Sequence, residues 1–110
     1  MNDDIRKSLF DIRQSSEEIM QFVDGMSFER FLADIKTQKA VERNFEIIGE
    51  ALNRIKRDDS AVLQSITGHE KIIGMRNILA HGYDAVDEKI LWNALKDHLP
   101  LLLAEVNTLI

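Results

Sequence analysis

The stretch IKTQKAVERNFEIIGEALNRIKR, residues 35–57, decides the fold. Its apolar residues Val41, Phe45, Ile48, Leu52 and Ile55 recur at steps of four and three, which places them on one face of an α-helix. At 1.5 Å per residue the segment makes a rod roughly 33 Å long. A rod with one apolar stripe needs other helices to cover it, and the flanking sequence supplies them. On the N-terminal side Ile5, Leu9, Ile12, Ile19 and Val23 form a second stripe closed by Gly25, with Ser16 standing where an apolar residue is expected. Ser27 is a candidate N-cap for a short helix in which Phe28, Phe31, Leu32 and Ile35 resume the pattern.

On the C-terminal side Asp58, Asp59 and Ser60 break the period and offer a cap for one or two turns over Ala61 to Ile66, ended by Gly68. A further helix is predicted from about His69 to Ala80. It ends at His81-Gly82, where glycine can enter the left-handed region at little steric cost. Asp87 caps a final helix through Ile90, Leu91, Ala94, Leu95, Leu99, Leu102, Val106 and Leu109, with a kink expected at Pro100 because proline lacks the N–H its turn requires. No alternating strand pattern, internal repeat or low-complexity run interrupts this series. The expected fold is all-α, an antiparallel helical bundle with short connections, in a single domain over residues 1–110.

Composition narrows the function classes. A chain of 110 residues is too short for two cores, and 45% hydrophobic with 30% charged residues is too apolar for a disordered or linker protein. The absence of cysteine removes disulfides, thiolate metal sites and cysteine nucleophiles, and it fits a reducing, cytoplasmic compartment. The start Asn2-Asp3-Asp4, with no apolar run near the roughly 18 residues of a membrane span, predicts neither an export signal nor a membrane anchor. A net charge of −5 argues against broad, sequence-blind nucleic-acid binding. Residues 35–57 alone are positive, with Lys36, Lys39, Arg43, Arg54, Lys56 and Arg57 against Glu42, Glu46 and Glu50. Either that segment attracts an anion or it is an ordinary solvated helix face.

One octet carries more polar chemistry than a helix end requires: Arg76-Asn77-Ile78-Leu79-Ala80-His81-Gly82-Tyr83. Taken singly, His81 would close a helix, Arg76 would pair with Glu70 or Asp84, and Tyr83 would pack. At about 100° per residue Asn77 and His81 share a face, while Arg76 and His81 lie about 140° apart. One regular helix does not aim both at one atom. Either the arginine wraps round, or the last turn unwinds at Gly82, or a symmetric second copy supplies the missing group, so that two Arg and two His surround one phosphate. Arg43, Glu46 and Glu50 form a polar ladder at helical steps, an exposed face or a wall of the same site. Gly49 and Gly74 lie inside predicted helices at a cost of about 1 kcal/mol each, which signals close helix approach or ligand access. His69 and His98 have no partner at metal-ligand spacing, so neither a catalytic metal nor another cofactor is expected. Trp92 is expected in the core or at a dimer interface.

The octet resembles the motif of the HepT-like toxins in the HEPN ribonuclease superfamily: Arg, a polar residue, three more residues, His, any residue, Tyr. Residues 40–51, AVERNFEIIGEA, and Ile73-Gly74-Met75 directly before Arg76 are similar to the family's other signature blocks at the family's spacing. The similarity runs from about Ser27 to Leu99-Pro100. One departure is Thr67-Gly68-His69, where many relatives carry a Pro-Trp pair. The resemblance implies a HEPN-type four-helix core with extra short helices. It also implies a metal-independent endoribonuclease that acts as the toxin of a toxin–antitoxin pair, with a homodimer bringing two motifs into one cleft. His81 would exchange protons with the 2′-hydroxyl and the leaving 5′-oxygen, Arg76 would hold the phosphate, and Asn77 would orient the ring or the phosphate. Which of the two histidines is acid and which is base stays open. Arg43, Glu46 and Glu50 would wall the cleft, and a cognate nucleotidyltransferase antitoxin would add AMP to Tyr83. The competing reading is a non-catalytic helical module that docks a nucleotidyltransferase, which would tolerate replacement of His81.

Overall fold

The computed structural model describes residues 1–81 and 87–110, without the side chain of His81. Among these residues the chain forms α1 (Asp3–Phe22), α2 (Phe28–Leu32), α3 (Ile35–Asp58), α4 (Ser60–Gln64), α5 (His69–His81), α6 (Glu88–Asp97) and α7 (Leu99–Leu109), and no strand. Short polar side chains open most of them by accepting from backbone N–H groups that have no partner inside the helix. Asn2 Oδ1 accepts from Ile5 N at 2.8 Å, Ser27 Oγ from Arg30 N at 3.2 Å, and Asp87 Oδ1 from Lys89 N at 2.8 Å. Asp59 is both the last cap of α3 and the first of α4, accepting from Ala61 N and Val62 N. Gly25 and Gly68 have φ of 73° and 78°, the left-handed conformation that lets the chain turn after α1 and before α5.

The α3 stripe read from sequence is fully enclosed: Val41, Phe45, Ile48, Leu52 and Ile55 have no exposed surface. α1 lies along one side of α3 and α5 along another, while α7 covers α1 and α6 rests on α7, α2 and α3. Ser8 and Asp11, near the start of α1, meet Arg54 near the end of α3, so these two helices run antiparallel. The all-α antiparallel bundle expected from the periodicity is the observed architecture. Ser16, the polar member of the α1 stripe, is buried like its neighbours.

Two expectations change. The last helix is two helices, because residue 100 has no N–H to return to Lys96: His98 N closes α6 on Ala94 O at 3.0 Å, and a new helix starts with Pro100 in its first turn, where no donor is needed. Leu32 and Ile35 continue the apolar spacing but are 51% and 67% exposed, since the chain turns between α2 and α3 and rotates them out of the stripe. α5 spans His69–His81, as expected for a helix ending at the His81-Gly82 pair; the Gly82 cap itself lies outside the described residues. Trp92 belongs to the core, 8% exposed, with its ring 5.3 Å from that of Phe31 and 6.1 Å from that of Phe28. Among the described residues no helix is long and apolar enough to cross a membrane.

Candidate active site

α5 is fastened to the bundle by Ile72 and Met75, which point into the core. Arg76 follows Met75 by one residue and therefore leaves the helix at the edge of that buried face, where it meets α3. The residue beneath it is Gly49. A Cβ on Gly49 would overlap the Cβ of Arg76 and fall 2.5 Å from its Cγ, so the stem of the arginine occupies the space that any other α3 residue would fill with its own side chain. The glycine inside a long helix thus marks a close helix approach. Gly74 does not: among the described residues no atom comes within 4 Å of a Cβ built there.

From this seat the guanidinium reaches two acceptors. Nη1 donates to Asn77 Oδ1 at 3.3 Å, and Nη2 lies 3.7 Å from Glu50 Oε1. The Arg76 side chain is 24% exposed and that of Glu50 38%. Nε is sealed from solvent and has no hydrogen-bond partner among the described residues. The acidic neighbour of Arg76 is therefore Glu50 on the adjacent helix, not Glu70 on its own; Glu70 Oε1 sits 3.3 Å from His69 Nε2, and Asp84 lies outside the described residues.

α5 stays helical through His81, so positions 76 and 81 lie about 140° apart around its axis. Arg76 lies over α3, its head between Glu50 and Asn77. Asn77, one turn before His81, is exposed. The side chains of His81 and Tyr83 lie outside the described residues. Arg43 and Glu46 form an ion pair of 3.4 Å on α3, with Glu46 one turn from Glu50 on the same side of the helix. Of these three only Glu50 faces Arg76.

The positive surplus of residues 35–57 is largely spent within the protein. Lys39, Arg43, Arg54 and Arg57 pair with Glu42, Glu46, Asp11 and Asp58 at 3.3, 3.4, 2.9 and 3.2 Å. That favours the solvated-face reading of the segment. His69 is buried about 18 Å along α5 from His81, at 1.5 Å per residue. His98 joins α6 to α7, where its Nδ1 would lie 3.7 Å from a Cβ on Gly68. Among the described residues no three His, Asp or Glu side chains come together as a metal site.

What sequence reasoning missed is a clip at the other face of α3. Arg54 Nε donates to Ser8 Oγ at 3.1 Å and Nη2 to Asp11 Oδ2 at 2.9 Å, joining residues more than forty positions apart. A second such tie has Thr67 N and Oγ1 donating to the two oxygens of Glu105, each at 2.9 Å. No local spacing signals either one.

The family model described as "Ribonuclease HepT-like" matches residues 12–109. A protein of Thermococcus cleftensis named "Probable ribonuclease HepT" is 42% identical over 94 residues, covering 86% of this chain and 84% of that one. A protein of Methanocaldococcus jannaschii named as a candidate RNase is 32% identical over 107 residues, covering 97% and 88% of the two chains. One from Caldanaerobacter subterraneus, named likewise, is 32% identical over 105 residues, covering 96% and 93%. No solved structure matches at comparable significance. With its Arg76 to Tyr83 motif on α5 and just past it, and a family match over nearly its whole length, this chain belongs to the HepT-like ribonucleases, endoribonucleases of the HEPN superfamily.

Proposed function

We propose that the protein is the toxin of a toxin–antitoxin pair and cleaves RNA without a metal ion, in a cleft shared by two copies of the chain. The observation that carries this reading is the seating of Arg76. A guanidinium held at a helix crossing, five residues before a histidine on the same helix, is a preorganised ligand for a phosphate whose negative charge grows during cleavage. RNA brings its own nucleophile. The 2′-oxygen attacks the adjacent phosphorus as one His81 imidazole takes its proton, and the bond to the 5′-oxygen breaks as a protonated imidazole supplies a proton to that oxygen. The products are a 2′,3′-cyclic phosphate and a 5′-hydroxyl.

Two histidines in opposite protonation states are needed, and each chain has one in the motif. A homodimer with both α5 helices at its two-fold axis supplies the pair and removes the 140° separation of Arg76 and His81 within one helix. In this reading Asn77, one turn before His81 on the same helix, orients the imidazole or the phosphate, and Arg43, Glu46 and Glu50 wall the cleft. Tyr83, two residues beyond His81, is the proposed acceptor of AMP from a nucleotidyltransferase antitoxin in the same cytoplasm. An adenylate there adds negative charge and bulk beside Arg76 and His81, which repels RNA.

The test is RNA cleavage by purified protein in chelator, with end-group analysis and sedimentation at micromolar concentration. Cyclic phosphate ends, loss of cleavage at a 2′-deoxy linkage and a dimer are expected. Activity that chelator removes, or that survives in His81→Ala, sinks the mechanism. A wild type that cleaves no RNA, and whose effect on cell growth is unchanged by His81→Ala, returns the non-catalytic docking module, the reading favoured by the acidic net charge. Co-expression with a nucleotidyltransferase encoded beside the gene should raise the intact mass in adenylate steps, and the increase should vanish in Tyr83→Phe. Neutralised toxicity at unchanged mass would mean that the antitoxin works by occlusion alone.

A further inference from the structure

We infer that Gly49 and Glu50 form a seat that fixes the guanidinium of Arg76, with Glu50 as its positioning residue. This rests on the ribonuclease reading of the same site and assigns Glu50 a role more specific than walling a cleft. Gly49 determines where the arginine stem lies, because its missing Cβ is the space taken by Arg76 Cβ and Cγ. A stem fixed at two carbons still leaves the outer torsions free, and the head needs a second constraint. Burial of Nε without an acceptor means that the inner edge is not held by a hydrogen bond to any described residue. Among the described residues the constraint acts at the outer nitrogens, where Asn77 Oδ1 and Glu50 Oε1 face Nη1 and Nη2.

The two acceptors are unequal. Asn77 is an exposed neighbour on the same helix and moves with Arg76, so it cannot fix the head relative to the bundle. Glu50 belongs to α3, whose buried stripe is immobilised by the core, and it refers the guanidinium to that frame. At 3.7 Å the contact is an ion pair and not a tight hydrogen bond, so it orients without consuming the donor. Each Nη carries two protons, which leaves the end-on fork for two phosphate oxygens, while the side-on fork that uses Nε is closed.

The experiment uses the full-length chain and a mixed-sequence RNA oligonucleotide carrying a fluorophore and a quencher. Glu50→Ala should lower kcat on the order of tenfold, with a smaller change in KM, since a displaced ligand costs more in the transition state than in binding. Glu50→Gln loses the ion pair but keeps an oxygen that can still accept from Nη2, and it should recover kcat in part, to between Glu50→Ala and wild type. If Gln is as impaired as Ala and one limb of the pH profile is lost, Glu50 exchanges protons with the substrate and the positioning role is wrong. An unchanged kcat in Glu50→Ala overturns it too.

A readout without RNA separates this inference from the ribonuclease reading. The Nε–H of Arg76 should exchange slowly with solvent in ¹⁵N spectra of the wild type and quickly in Glu50→Ala. Protection that persists in Glu50→Ala refutes the seat. Should the wild type cleave no RNA while Glu50→Ala still exposes Nε–H, the seat stands and the proposed activity falls.

Discussion

Two arginines lie at the two long faces of α3 and are used in opposite ways. Arg54 bridges to α1 with its nitrogens committed: Nε on Ser8 Oγ and Nη2 on Asp11. Arg76 crosses from α5 over Gly49 with Nε sealed and unpartnered among the described residues, and with its outer nitrogens held at 3.3 and 3.7 Å. The first arginine is a structural clip, which satisfies a buried serine hydroxyl and a half-buried carboxylate across forty residues of sequence. The second is positioned by packing and an ion pair more than by hydrogen bonds, which leaves more of its N–H donors uncommitted among the described residues. Charge alone does not mark a functional arginine; what separates these two is how many donors the fold has already used.

The contrast is broken most directly by exchanging the losses. Arg76→Ala should reduce kcat/KM for RNA about 10²- to 10³-fold, the cost of removing one preorganised charge from a transition state, with little change in melting temperature. Arg54→Ala should show the reverse pattern, a lower melting temperature at unchanged kcat. An Arg76→Ala protein that melts much earlier than wild type would make Arg76 a second structural clip and erase the distinction.

Gly49→Ala sharpens the packing half of the comparison. A Cβ forced onto Arg76 must push α3 and α5 apart, and after allowing about 1 kcal/mol for better helix propensity the net loss should be about 2 kcal/mol in urea unfolding. The same substitution in an Arg76→Gly background, where the opposing Cβ is gone, should cost much less. Equal costs in both backgrounds would show that the crossing does not depend on this contact. Gly74→Ala, in open space, should instead be neutral or slightly stabilising.

Arg54→Ala strands the buried hydroxyl of Ser8 and should destabilise by about 1 kcal/mol, the lower part of the range for an unpaired polar group because the pair is partly exposed, while kcat stays at the wild-type value. The check is paired thermal melts and RNA cleavage on the same preparation.

The smallest effect concerns Asp34, whose cap opens the helix that both crossings share. Its carboxyl is held below the usual carboxylate range, chiefly by the backbone N–H of Thr37 and then by the Thr37 hydroxyl, at 3.0 and 2.8 Å. A depressed folded-state value means that the stabilisation is complete above the ordinary carboxylate pKa and is lost as pH falls through the folded one. Asp34→Ala should therefore lower the melting temperature slightly at neutral pH, and the difference from wild type should shrink in acid. A difference independent of pH would assign the effect to backbone propensity.

Much of the bundle is legible in the sequence because helix period and core burial are the same constraint. Val41, Phe45, Ile48, Leu52 and Ile55 are spaced for one face, and that face is buried whatever covers it. Caps at Ser27, Asp59 and Asp87 are legible for a similar reason: a short polar side chain bonds its own neighbouring backbone, a contact that sequence distance determines. Leu32 and Ile35 defeat the pattern, since a turn between two helices rotates the stripe and spacing alone does not count that rotation.

The motif's composition and its family were written in the chain, and so was the angular offset between Arg76 and His81, because helix geometry gives the angle between any two positions. What Arg76 touches was not. Gly49 and Gly74 carry the same local signal, an internal glycine in a helix, yet one lies under an arginine and the other faces open space. Their difference depends on which helix packs where, and that is settled by contacts between residues tens of positions apart. The same holds for Arg54, whose partners Ser8 and Asp11 are set by the register of α1 against α3. Local bonds and periodic faces follow from neighbours along the chain. The choice between a clipped arginine and a seated one needs the rest of the bundle in place.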